Sequence, residues 1–292
     1  MSLAIVMSCA VRGLEALPVF VEVHVGSGLP AFHVVGLPDA GVRESRERVR
    51  SALINSGYEF PAGRIIVNLA PADLPKESGR FDLPIAVGVL LASGQIASDE
   101  AMGAVVPDMR DYVLAGELSL TGMLGALDAV LAIALGASRR DRPVRLIVPH
   151  ATAALAACVP GLCVLGAETL SQIVEHLRGQ QTLCAVTEGG FRYRSTVVPC
   201  LSEVQGQAAA RRVLEIAAAG RHSMLMSGPP GVGKSMLAHR LPGILPPLDN
   251  MQALEVAAIS GLRGADCQVD SHPPFRAPHH SASMAALVGG GV

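Results

Sequence analysis

Apolar and polar residues alternate through much of the first seventy positions, as they do in half-buried β-strands. Runs with this pattern occupy residues 3–7, 19–25 and 31–35 and are separated by short turns rich in glycine and proline. Three successive strands with short connections predict an antiparallel meander. A further strand is predicted at 64–69.

The spacing of apolar residues changes to that of a helix at 39–56. Val42, Val49 and Leu53 form one stripe there, and Asp39 is placed to cap the N-terminus. The outer face carries arginine and glutamate at i,i+4 spacing, which predicts a solvated face paired within itself. The expected pairs are Arg43 with Glu47 and Glu44 with Arg48.

Strand and helix patterns then alternate as far as residue 177, which predicts one α/β domain over residues 1–178. Further strands are expected at 112–118, 144–149 and 163–165, and helices at 81–92 (capped by Asp82), 123–137, 151–157 and 168–177. Residues 179–205 lack periodicity and are interpreted as a linker. The second domain, 206–292, is predicted to hold helices at 207–219, 235–241 and 251–259 and a strand at 222–227.

Composition narrows the range of functions. The net charge of −2 gives no overall field that would attract a polyanion, and the low aromatic content disfavours a platform for stacking bases. The six cysteines are scattered, which is typical of reduced cytosolic thiols. No apolar run approaches the roughly 20 residues needed to span a bilayer. A cytoplasmic protein without a membrane segment is expected.

One motif predicts chemistry directly, because residues 228–235 fit the phosphate-binding pattern G-x-x-x-x-G-K-[ST] between a predicted strand and a predicted helix. Main-chain N–H groups and the helix start would converge on a phosphate of ATP. Lys234 would reach the terminal phosphates and Ser235 would hold Mg²⁺. Only Lys76 and Lys234 are lysines among 23 basic residues. The alternative is a glycine-proline turn that only caps a helix. The predicted cofactor-binding residues are Gly228, Pro229, Pro230, Gly231, Val232, Gly233, Lys234 and Ser235.

Several further segments resemble the magnesium-chelatase-like AAA+ ATPases of the YifB/ComM family; they are 206–207, 215–220, 240–247 and 275–283, together with 81–86 in the first domain. The resemblance implies an N-terminal Lon-protease-like (ribosomal S5 domain 2-like) α+β domain followed by a P-loop AAA+ domain. It also implies ATP and Mg²⁺ as cofactors, a homo-hexamer at full length, and DNA as a partner, since the ComM branch is associated with branch migration.

The sequence departs from that family pattern in two places. A Lon-like peptidase needs a serine and a lysine from separate elements, yet 123–137 contains no lysine and Arg80 stands near the expected serine, while Lys76 and Ser78 share one loop. No apolar run followed by an acidic pair comes after Ser235, so the AAA+ domain is expected to be incomplete, with an unpaired strand at 222–227 and no identified catalytic residue. A non-catalytic assembly fragment and a Lon-like peptidase remain the alternatives.

The adjacent histidines His279 and His280 are candidate metal ligands by residue type. On a strand they would point to opposite faces, and no carboxylate or cysteine stands at ligand spacing nearby, so a metal site is not expected there.

Overall fold

Residues 2–74, 76, 79–97, 106–187, 198–262 and 269–289 are described by a computed structural model of the chain. They divide into two units, one comprising Met1–Arg192 and Ala257–Gln268, the other Tyr193–Val256 and Val269–Val292. Both parallel and antiparallel strand pairs occur, so the mixed α/β class is confirmed. The boundaries predicted at 178 and 206 stay predictions, and residues 188–197 of the predicted linker lie outside the described residues.

The first unit begins with a long hairpin of β1 (Ser2–Arg12) and β2 (Glu15–Gly26). The other edge of β2 pairs antiparallel with β4 (Arg64–Ala70), and β4 pairs parallel with β3 (Ala31–Val35), giving the order β1-β2-β4-β3. The predicted meander is therefore wrong at its third strand. Since a helix connects β3 to β4, the chain can cross over and pair these two strands in parallel.

That crossover helix, α1 (Ala40–Asn55), starts where the sequence predicted, because Asp39 Oδ1 accepts the Val42 N–H at 2.7 Å. It packs beside α2 (Asp82–Ala92), which is buried along nearly its whole length. Gly88 lets α2 approach the sheet, since a Cβ there would lie 2.5 Å from Val23 Cγ2. These contacts build the main core of the unit.

Asp82 is not the cap of α2, as the sequence analysis expected. Phe81 occupies the N-cap position, and the Asp82 carboxylate instead forms a two-pronged ion pair with Arg48 of α1, with Nε–Oδ2 at 2.6 Å and Nη2–Oδ1 at 3.1 Å. Arg48 also donates to the Gly41 carbonyl, and the Leu118 N–H donates to Asp82. The predicted pair of Glu44 with Arg48 is confirmed, with Nη1–Oε2 at 3.9 Å, but the closer partner of Arg48 is Asp82, which the sequence analysis did not predict.

Electrostatics at this pair follow from its burial. The Asp82 side chain is fully buried, and this desolvation raises the pKa of the carboxyl above its ordinary value although Arg48 opposes the shift. The hydrogen bond to Asp82 in turn raises the pKa of Arg48. The pair joins α1, α2 and the Leu118 segment at one point.

A second sheet of three parallel strands completes the first unit: β5 (Tyr112–Leu114), β6 (Arg145–Pro149) and β7 (Cys163–Ala167). Its helices are α3 (Val130–Ser138), α4 (His150–Ala156) and α5 (Leu170–Leu177). Two predicted boundaries are wrong. The strand expected over 112–118 stops at Leu114 and the helix expected from 123 begins at Val130, because Leu118 bridges Leu124 in a tight turn between them.

His176 of α5 connects this sheet to the segment that follows. Its Nδ1 accepts the Leu183 N–H at 3.1 Å, and its Nε2 lies 3.3 Å from Tyr112 Oη, which also accepts from Arg145 at 2.9 Å. Burial and the charge of Arg145 lower the pKa of His176. An accepting Nδ1 requires the neutral imidazole with its proton on Nε2.

The second unit contains α6 (Ala208–Gly220), α7 (Lys234–Ala238), most of α8 (Asn250–Gly261) and α9 (Met284–Val288). A small cluster of Leu201, Val204, Leu214 and Leu237 is buried there, with Met224 and Met226 packed against it. The helix expected over 235–241 stops at Ala238, and a 3₁₀ turn follows at Pro242–Ile244.

The strand predicted at 222–227 is not formed. No β-ladder among the described residues includes this stretch, and Leu225 is 94% exposed. A strand is defined by pairing, and no described residue pairs with this stretch. None of the helices in the described ranges has both the length and the hydropathy to cross a bilayer.

Replacing Arg48 by alanine should lower the free energy of unfolding by about 3 kcal/mol at pH 7, since it leaves a buried carboxylate without its partner. A raised folded-state pKa means that Asp82 favours folding below its ordinary pKa and loses that contribution as the pH rises through the folded value. The difference in the free energy of unfolding between Arg48→Ala and the parent should therefore be smaller when denaturant unfolding is repeated at pH 5. The exposed Arg46→Ala serves as control; an equal deficit at both pH values would assign the loss to packing.

Acid should loosen the segment held by His176. A lowered folded-state pKa means that the imidazole favours folding above its ordinary value of 6.5 and loses this contribution as the pH falls through the folded value. A proton on Nδ1 would oppose the Leu183 N–H. Hydrogen exchange of the Leu183 amide, corrected for intrinsic rate, should accelerate between pH 7 and pH 5, while that of the Tyr58 amide, bonded to the Leu53 carbonyl, should not. Equal behaviour of the two amides would contradict this link.

Candidate nucleotide-binding site

Three glycines shape the predicted phosphate loop. Gly228, Gly231 and Gly233 all have positive φ, at 153°, 84° and 87°, where side chains are strained. Gly233 ends the loop as the N-cap of α7, and the Leu237 N–H donates to its carbonyl at 3.0 Å. The motif therefore has glycine where the backbone requires it.

Lys234 is the first residue of α7, and its side chain folds back onto the loop. The ammonium donates to the carbonyls of Gly228 at 2.8 Å and Pro229 at 2.7 Å. The side chain is only half-buried, so this positive charge is within reach of an anion at the loop. Ser235 follows with an exposed side chain, and its role as a Mg²⁺ ligand stays a prediction.

Gln207, at the start of α6, is a part of the site that the motif did not identify. Its amide Nε2 donates to the Val232 carbonyl at 3.0 Å and so links α6 to the loop. The sequence indicates Gly206 and Gln207 only through the family resemblance. The sequence signal for Gln207 is a polar residue just before the helix that leads into the motif. Its contact with Val232, 25 residues away, cannot be predicted from spacing.

A cavity of about 410 Å³ lies beside the loop. Gln207, Ser227 and Lys234 are the polar residues of its lining, and the rest is apolar, contributed by Val213, Met224 and Leu237 among others. Ligand pockets generally combine an apolar lining with a few well-placed polar groups. An ammonium, glycine-rich backbone and an adjoining apolar cavity fit a nucleoside phosphate, so the residues present suit ATP.

Lys76, which the sequence analysis considered for peptidase chemistry, is not placed as an accessible catalytic lysine. Lys76 is fully buried, its ammonium donates to the Pro71 carbonyl, and burial lowers its pKa. Its main-chain carbonyl accepts the Asp39 N–H at 3.0 Å. Lys76 therefore fastens its loop to the start of α1, while Ser78 lies outside the described residues.

The histidine pair does not follow the geometry assumed from the sequence. The segment is not a strand, and the rings of His279 and His280 lie 4.1 Å apart instead of on opposite faces. His279 Nδ1 also lies 2.7 Å from Ser281 Oγ and accepts the Ser281 N–H. Across the described ranges, no group of three or more His, Cys, Asp or Glu side chains is placed to hold a metal ion.

Two family models and several known proteins match this chain. The family model "Subunit ChlI of Mg-chelatase" matches residues 21–152, and "Magnesium chelatase, subunit ChlI" matches residues 200–292. All of this chain aligns with "Uncharacterized protein YifB" of Salmonella typhimurium at 47% identity and with "Competence protein ComM" of Haemophilus influenzae at 44%. It also aligns with the YifB protein of Escherichia coli at 45%. The chain spans 56–57% of the length of these relatives.

Alanine at Gly233 should disturb the start of α7 more than alanine at Gly231. Both positions have positive φ, but a Cβ at Gly231 meets nothing within 4 Å, whereas one at Gly233 lies 3.2 Å from both Gln207 Nε2 and Met236 Cε. Hydrogen exchange of the Leu237 amide should be fastest in Gly233→Ala, intermediate in Gly231→Ala and slowest in the parent. Equal acceleration in the two variants would attribute the whole effect to φ.

Proposed function

Because the chain belongs to the YifB/ComM family of magnesium-chelatase-like proteins, we propose that it is an ATP-binding unit of AAA+ type that contributes to an assembly acting on DNA. The observation that carries the proposal is the half-buried Lys234 ammonium, held over the glycine loop by two main-chain carbonyls. A compact ammonium at the start of a helix is suited to a phosphate anion.

In this proposal each part of the site has one task. Lys234 turns from the loop carbonyls to the terminal phosphates, and the main-chain N–H groups of residues 231–235 surround the remaining phosphate oxygens. The apolar cavity takes the base. Ser235 supplies a hydroxyl to Mg²⁺, which when bound neutralises phosphate charge.

The finer domain assignment belongs to the same proposal. Residues 1–178 would form the Lon-like domain, 179–205 the linker and 206–292 the first part of the AAA+ domain. Assembly into a homo-hexamer at full length and action on DNA are part of the proposal; one relative of this chain is called a competence protein, which supports the DNA role. Hydrolysis is not part of this proposal.

Lys234→Ala should weaken MgATP binding about tenfold or more, since a hydrogen bond to a charged group contributes about 1.5–3 kcal/mol. Calorimetric titration of the 292-residue chain measures the affinity. Arg212→Ala is the matched control, because it removes one positive charge from the exposed face of α6. Equal affinity in the parent and in Lys234→Ala would reject the proposed site.

The same preparations separate the alternatives. A non-catalytic assembly fragment would bind MgATP weakly or not at all in the parent chain. A Lon-like peptidase would cleave an unfolded protein substrate, and the cleavage would persist in Lys234→Ala.

A further inference from the structure

Gln207 has a backbone conformation that is unfavourable for its residue type. Its φ of 47° and ψ of 41° place it in the left-handed region, directly after Gly206 with a φ of 69°. Glycine adopts this conformation without penalty, whereas glutamine is strained in it. Such strain persists only where surrounding interactions hold the residue, and it concentrates at functional sites.

The side chain of Gln207 is directed to the phosphate loop and not to its own helix. No side-chain hydrogen bond caps α6, although the first N–H groups of a helix lack partners within it. The amide Nε2 donates instead to the Val232 carbonyl at 3.0 Å, while the main-chain carbonyl of Gln207 accepts the Arg211 N–H. A capping role for the side chain is thereby excluded.

The Val232 carbonyl belongs to the peptide unit that ends with the Gly233 N–H. In a trans peptide these two groups point in opposite directions. Holding the carbonyl toward Gln207 therefore turns the Gly233 N–H away from it. A Cβ at Gly233 would lie 3.2 Å from Nε2, so glycine at this position lets the amide approach without a shift.

We propose that Gln207 is a positioning residue of the phosphate loop: its side-chain amide fixes the Val232–Gly233 peptide so that the Gly233 N–H is presented to a bound phosphate. This inference rests on the proposed nucleotide site and assigns it a residue outside the motif. The strained conformation of Gln207 is the means by which the amide is aimed at the loop.

Two substitutions separate positioning from a structural role. Gln207→Met keeps a long side chain and the strained backbone but removes the donor. Gln207→Gly also removes the donor but relieves the strain, so it should leave thermal stability equal or higher. Gln205→Met, two residues earlier at an exposed position with no side-chain hydrogen bond in the described chain, is the control.

Affinity is measured by titrating the 292-residue chain with magnesium tripolyphosphate and with MgATP. Loss of one hydrogen bond predicts a weakening of about fivefold to tenfold for both probes in Gln207→Met and Gln207→Gly, and none in Gln205→Met. A purely structural role would make affinity follow thermal stability, so that Gln207→Gly would bind as well as the parent.

Binding of both probes by Gln207→Gly at parental affinity would overturn the inference and leave the proposed site intact. If Gln207→Met does not fold, Gln207→Gly decides alone. If the parent binds neither probe and Lys234→Ala matches it, the proposed function and this inference both fail.

Discussion

The candidate site depends on the charge of Lys234, whose hydrogen-bond partners within the described residues are main-chain carbonyls. Lys76, the other lysine, contacts a carbonyl in the same way, but its surroundings are different. Lys76 is fully buried, so a dissolved anion cannot replace the Pro71 carbonyl as its partner, and the contact has a structural role. Lys234 is half-buried, and carbonyl oxygens carry only partial negative charge, so a phosphate is a stronger partner for it. The same kind of contact is structural for Lys76, whereas the proposed function requires Lys234 to exchange it for a phosphate.

In the first unit, the ion pair of Arg48 and Asp82 is the interaction that fixes how α1 and α2 are joined. A buried carboxylate is unfavourable by itself, and Arg48 compensates for its desolvation while joining two helices and the Leu118 turn. The pair adds an orientation that apolar packing of α2 alone would not define, because α2 is buried on nearly all sides and has no distinct outer face.

Local patterns in the sequence predicted local structure, but they did not predict strand pairing or contacts between residues far apart in the chain. Alternation located the first strands, and Asp39 was correctly identified as the cap of α1. Alternation does not say which strand pairs with which, so the parallel pairing of β3 was missed. The sequence predicted Asp82 as a helix cap, and its role as an ion-pair partner depends on the proximity of Arg48 in the fold. For the same reason the motif predicted the loop glycines and Lys234 but not Gln207, whose contact depends on the path of α6.

The stretch 222–227 shows how the loop is positioned without a sheet. Met224 and Met226 pack on the small core of the second unit while Leu225 between them is exposed, so the side chains alternate as in a strand although no ladder forms. In a paired strand, hydrogen bonds on both sides would fix the residue from which a loop departs. Here the loop geometry depends instead on the positive φ angles of three glycines, on Lys234 and on Gln207. Each of these is a single local contact or backbone preference, so a change at any one of them acts on the loop geometry directly.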